Sequence, residues 1–176
     1  MLELGQKAPD FSLPGVDGST VALADLLKDH RAVVVIFSCN HCPYVRAWED
    51  RMVAIQRDYT GQHVTLVAIN PNDTTRYPDD DMEHMKVRAA EKGFNFPYLR
   101  DDSQEVARAY GGTHTPHVFL LDAGGVLRYR GAIDDNYDDP DAVQATYLRD
   151  ALDAVLAGEA PATPTTPAVG CTIKWK

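Results

Sequence analysis

Two of the chain's three cysteines stand three positions apart, in Phe37-Ser38-Cys39-Asn40-His41-Cys42-Pro43. The reactive form of cysteine is the thiolate. A helix that begins at or just after such a pair offers it unpaired amides and the positive end of the helix dipole, which lower a thiol pKa. The chemistry this allows is thiol-disulfide exchange: one sulfur attacks a substrate disulfide and the other displaces the product. The order of roles in other pairs of this spacing favours Cys39 as the attacking sulfur. Pro43 suits a first helical turn, which moves the helix start toward Cys42 and favours that sulfur instead. Two rival readings exist. The pair could be inert and buried, or Cys39, Cys42 and Cys171 could bind zinc with His41 or His114 as a fourth ligand. Only one Cys-x-x-Cys is present and the third sulfur lies near the chain end, so no metal and no other cofactor is expected.

The elements around the pair must hold it at a sheet edge. Val33-Val34-Val35-Ile36-Phe37 is apolar without alternation, the pattern of a central strand covered on both faces. After the cysteines, Val45, Trp48, Met52, Ile55 and Tyr59 recur at steps of three and four and predict an amphipathic helix. Val64 to Ile69 is the next strand, so the three elements form a right-handed crossover with the cysteines at the carboxyl end of the first strand, open to a partner.

Upstream, Asp17-Gly18 predicts a small hairpin. Asn70 to Asp81 reads as a polar insertion, followed by a short helix over Met82 to Lys92 that ends at Gly93. Ser103 is the expected N-cap of a helix running to Tyr110. Val118 to Asp122 and Val126 to Arg130 predict an antiparallel hairpin, and Pro140 is expected to open a last helix that stops at Gly158. Residues 1–157 therefore read as one domain, and residues 158–176 as a Pro/Thr-rich linker carrying Gly170-Cys171-Thr172-Ile173-Lys174-Trp175-Lys176.

At 176 residues with a net charge of −9, the chain suits one acidic domain, with neither nucleic acid nor membrane as partner. No basic segment followed by an apolar core opens it, and the expected location is the cytoplasm, where thiols are kept reduced. The acidic residues Asp134, Asp135, Asp138, Asp139 and Asp141 lack calcium-loop spacing and read as a solvated loop against which Lys174 and Lys176 could dock.

The Cys-x-x-Cys pair after a central strand, Thr115-Pro116 before a hairpin, and the β-α-β then β-β-α order together resemble the thioredoxin fold, over roughly residues 30 to 157. This implies an α/β domain with a central mixed sheet flanked by helices, here with an N-terminal hairpin extension and a C-terminal tail. Gly5-Gln6-Lys7-Ala8-Pro9-Asp10-Phe11-Ser12-Leu13 is similar to the start of the redoxin branch, which includes the alkyl hydroperoxide reductase and thiol-specific antioxidant proteins. Cys39-Asn40-His41-Cys42-Pro43-Tyr44-Val45 with the distant Gly170-Cys171-Thr172-Ile173-Lys174-Trp175 resembles a peroxiredoxin-like subgroup.

From the resemblance, Pro116 follows a cis bond and leaves the backbone of Thr115 free to pair with substrate. His41, placed as in protein disulfide isomerases, favours the thiolate. A peroxiredoxin would place proline, threonine and arginine around its sulfur; with Cys42 as the reactive residue those positions hold Val35, Cys39 and Pro116. The resemblance thus implies dithiol-disulfide exchange first, with hydroperoxide reduction as the alternative. Substrates would be protein or small-molecule disulfides, or a hydroperoxide, and a thioredoxin- or glutathione-type reductant would reset the pair. Cys171 is expected to be either a resolving thiol or part of a structural plug with Ile173 and Trp175. Of His114 and His117, one is expected to be exposed and the other to fill a strand end.

Overall fold

The computed structural model describes residues 1–176. In chain order the elements are β1 (Ser12–Pro14), β2 (Thr20–Ala22), α1 (Leu23–Asp29), β3 (Ala32–Phe37), α2 (Pro43–Tyr59), β4 (Val64–Asn70), α3 (Met82–Lys92), β5 (Tyr98–Arg100), α4 (Glu105–Tyr110), β6 (His114–Thr115), β7 (His117–Asp122), β8 (Leu127–Gly131), α5 (Tyr147–Leu156) and β9 (Cys171–Thr172). The main sheet has the order β5-β4-β3-β7-β8. β3 runs parallel to β4 and antiparallel to β7, so the sheet is mixed, and β3 is its centre. This is the thioredoxin-like α/β architecture.

The unbroken apolar run of β3 follows from where its side chains go. Val34 and Ile36 enter one core with Trp48, Met52 and Ile55 of α2 and Leu148 and Leu152 of α5. Val33, Val35 and Phe37 enter a second core on the other face, with Leu23 of α1, Tyr110 of α4 and Phe119 of β7. With helices on both faces no position of β3 meets water, and alternation disappears. The expected stripe of α2 is the face it buries.

Three details differ from the sequence reading. A third parallel strand, β5, extends the sheet beyond β4; at three residues it is too short to carry a periodic signal. Pro140 starts only a single tight turn over Pro140–Ala142, and α5 begins at Tyr147, because the intervening backbone returns to extended geometry at Val143. Gln104, with φ +66°, caps α4 in place of Ser103, whose hydroxyl accepts from the Glu105 amide instead.

The last eighteen residues fold back onto the domain. Pro164 to Thr166 runs beside β8, with the Arg130 amide donating to the Pro164 carbonyl and the Thr166 amide to the Arg130 carbonyl. The chain then crosses to β6, where β9 pairs with it antiparallel, Thr115 opposite Cys171 and His114 opposite Thr172. Ile173 is buried in the second core.

Candidate active site

α2 starts at Pro43, whose missing amide hydrogen costs nothing in a first turn, and this makes Cys42 the N-cap residue. The positive end of α2 therefore falls on Cys42 and not on Cys39. The neighbouring Cys39 thiol pulls the Cys42 pKa down to about 5 against the opposing effect of burial, helped by the Cys171 thiol and the backbone of Val45 and Cys171. Cys39 moves the other way, raised by its pairing with Cys42, by burial and by the negative charge of Asp80. These opposite shifts favour ionisation of Cys42 over Cys39. Of the two readings the sequence leaves open, these shifts and the helix start favour Cys42 as the more acidic sulfur.

Thr115 lies against both sulfurs. Its hydroxyl is 3.4 Å from Cys39 Sγ and its carbonyl oxygen 3.2 Å from Cys42 Sγ. Protonated, Cys42 donates to that carbonyl; ionised, it accepts from its thiol neighbours. The Thr115–Pro116 bond is cis. The backbone edge of Thr115 is not free, however. β9 covers it, and Cys171 Sγ stands 2.8 Å from Cys42 Sγ. The openness expected of the cysteines is corrected in the same way. Cys39 and Cys42 are each only 5 % exposed, because the returning tail roofs them. They line a cavity of about 200 Å³ together with His41, Tyr77, Asp80 and Lys174.

His41 projects outward, its ring 3.2 Å from Arg46 Nη2 and 3.9 Å from an Asp79 carboxylate oxygen, at the cavity mouth. His117 fills the end of β7, packs on Phe119, accepts from the Thr113 amide, and is held neutral by burial, its pKa down to about 4. His114 is partly exposed and bonded to the Thr113 hydroxyl. Cys171 is a free thiol raised to about 11 by burial and by Cys42. No group of three or more His, Cys, Asp or Glu is arranged to hold a metal ion.

The residues that sequence reading misses come from the insertion between β4 and α3. Asp80, within an acidic triplet, is buried; its carboxylate accepts from the Asn40 amide at 2.8 Å and from the side-chain amides of Asn70 and Asn72 at 3.1 Å. Asn40, inside the motif, is clamped further by donating to the Asp79 carbonyl and accepting from the Tyr98 hydroxyl. No spacing in the sequence distinguishes Asp80 from Asp79 or Asp81. Lys174 and Lys176 also dock elsewhere than expected. Lys174 is held by Asn72, Asp73 and Gln104, and Lys176 reaches Asp102. Asp134 of the acidic run is buried and already engaged by Arg51 and by the Trp48 indole.

Residues 4–130 match the AhpC/TSA family. The whole chain superposes on an uncharacterized conserved protein from Geobacillus kaustophilus with a TM-score of 0.93 and 43% identity, covering 94% of that protein. It is 27% identical over 132 residues to the candidate peroxiredoxin Rv2521 of Mycobacterium tuberculosis, covering 75% of this chain and 78% of that one. It is 25% identical over 123 residues to the thiol-disulfide oxidoreductase ResA of Halalkalibacterium halodurans, covering 70% of this chain and 65% of the relative. By its matched residues and its fold, the chain belongs to the AhpC/TSA family of thioredoxin-fold redoxins.

Proposed function

We propose that this redoxin is a thiol-disulfide oxidoreductase of the peroxiredoxin-like subgroup, acting by dithiol-disulfide exchange through Cys39-Asn40-His41-Cys42. The observation that carries the reading is the pairing of Cys39 and Cys42 at the start of α2, both sulfurs against Thr115 of the cis-proline turn, with their pKa values pushed in opposite directions. The Cys42 thiolate attacks a substrate disulfide, forming a mixed disulfide and releasing one substrate thiolate. Cys39 then gives up its proton and attacks the Cys42 sulfur, closing Cys39–Cys42 and releasing the second thiolate. Two protein thiols are oxidised and one substrate disulfide is reduced. Pairing with Cys42, burial and the Asp80 charge together favour the Cys39 thiol, and the grip of Asp80 on Asn40 fixes the loop between the sulfurs. His41 at the mouth and Thr115-Pro116 beneath the sulfurs are the residues that meet the substrate. A thioredoxin- or glutathione-type thiol returns the pair to the reduced state, as the cytoplasm would supply. The tail after residue 157 belongs to this site as well as to the fold.

Hydroperoxide reduction is the second reading, favoured by the AhpC/TSA match. The Cys42 thiolate would attack the peroxide, release an alcohol and become a sulfenic acid, which Cys39 would condense to a disulfide with loss of water. Against it, no threonine or arginine occupies the positions that would bind the peroxide.

The discriminating test is turnover of bis(2-hydroxyethyl) disulfide and of hydrogen peroxide with the same reductant. Disulfide turnover that vanishes in Cys42→Ser, with slow peroxide turnover, is expected. Fast peroxide turnover with no disulfide turnover would replace the first reading by the second. In the Cys39→Ser/Cys171→Ser variant a mixed disulfide on Cys42 should accumulate, visible as an adduct by mass spectrometry.

A further inference from the structure

The tail is built to deliver a sulfur. Gly170 lies against β6 so closely that a Cβ on it would stand 2.3 Å from the Thr115 carbonyl oxygen, so only glycine allows this approach. The ladder that follows puts Cys171 opposite Thr115, the residue touching both motif sulfurs. Beyond it the chain is latched: the Ile173 amide donates to the Thr113 carbonyl at 3.0 Å, the Lys174 amide to Asn72 Oδ1 at 2.9 Å, and Arg76 donates to the Trp175 carbonyl. The Trp175 ring lies under the Arg108 guanidinium at 4.4 Å. A plug that only covered apolar surface would need Ile173 and Trp175 but no cysteine at the sulfur pair. Cys171 Sγ is 2.8 Å from Cys42 Sγ, and closing to a disulfide bond of about 2.05 Å needs less than an ångström of movement.

We infer that Cys171 is a second resolving thiol, which competes with Cys39 for Cys42 and leaves the oxidised protein with a Cys42–Cys171 disulfide. The inference rests on the exchange mechanism proposed above and adds a third redox residue to it. A substrate displaces the tail from the Thr115 edge, and the Cys42 thiolate takes one half of the substrate disulfide. The tail then re-docks. The Cys171 sulfur attacks Cys42 and its proton passes to the departing substrate thiolate. A Cys42–Cys171 bond forms, and the bond between Cys42 and the substrate breaks. Two electrons leave the protein and both enter the substrate, so no further oxidant is needed. Re-docking thereby expels the product and covers the site in one movement.

The test is a peptide map of the full chain after reaction with one equivalent of bis(2-hydroxyethyl) disulfide, acid quenching and alkylation. Wild type and Cys39→Ser should both yield a Cys42–Cys171 linked peptide, and Cys171→Ser should yield Cys39–Cys42 instead. Gly170→Ala, which pushes the tail off Thr115, should lower the Cys42–Cys171 fraction about tenfold in favour of Cys39–Cys42. A wild-type map containing only Cys39–Cys42 would overturn this inference and leave the exchange mechanism standing. A wild-type protein that loses no thiols to the disulfide would overturn both.

Discussion

Cys42 and Cys39 are pushed in opposite directions chiefly by the hydrogen bond between them, with Cys42 also standing at the start of a helix. The Cys39 and Cys171 thiols bring Cys42, the N-cap residue before Pro43, down to about 5, while pairing with Cys42, burial and the Asp80 charge push Cys39 up. A thiolate absorbance titration of the reduced protein should therefore show one group ionising with a midpoint near 5, since Cys42 carries its charge above that pH and loses it below. Cys42→Ser should remove that step. Cys39→Ala and Cys171→Ala should each shift it upward, because each removes a thiol that donates to the thiolate. A first midpoint near 8.5, the value of an unperturbed cysteine, would show that the helix end and its neighbours do not act on Cys42. The rate of disulfide exchange should follow the same ionisation, rising from acid pH through about 5 and then levelling.

At the scale of elements, the insertion between β4 and α3 holds the motif loop. Asp80, itself buried, accepts from Asn40, Asn70 and Asn72. Asp80→Ala would take this acceptor from the Asn40 amide and the Asn72 side chain, and stability should fall by about 2–4 kcal/mol in a urea titration, with exchange activity reduced alongside. An unchanged midpoint would mean that the loop is held by other contacts. Glu49, buried on α2, is engaged by Arg88 of α3. Glu49→Ala should cost about 3 kcal/mol, because Arg88 then keeps only its longer pairing with Glu91, with the Cys42 titration unmoved.

These two carboxylates also mark where the sequence stops being legible. Val33 to Phe37 and the stripe from Val45 to Tyr59 announce their strand and helix, because burial on a regular element imposes a period. Asp80 and Glu49 sit among other charged residues and are buried through partners far away in sequence, which no period records. The role of Pro43 can be read from the chain, since it acts on its immediate neighbour. The closure of Thr115 by Cys171 cannot, since it depends on where a long polar linker returns.

Across the whole molecule, the fold brings three distant pieces of chain to one end of the sheet: the motif after β3, the cis-proline turn before β7, and the tail. Together they enclose the two motif sulfurs. Such an enclosure lets a thiolate persist without reacting with every passing oxidant, and it requires the tail to move in each cycle. Limited proteolysis should report this. In the reduced protein the segment after Val169 should be cut faster than in the oxidised protein, where a Cys42–Cys171 bond ties it down, and equal rates would argue against a moving tail.

The most direct measurement is a count of protein thiols against substrate thiols as reduced protein is titrated with bis(2-hydroxyethyl) disulfide in the absence of any other reductant. Exchange through Cys42 predicts that two protein thiols disappear for each disulfide reduced, with two substrate thiols released and no reaction in Cys42→Ser. Full retention of the protein thiols at excess disulfide, or an undiminished reaction in Cys42→Ser, would contradict it.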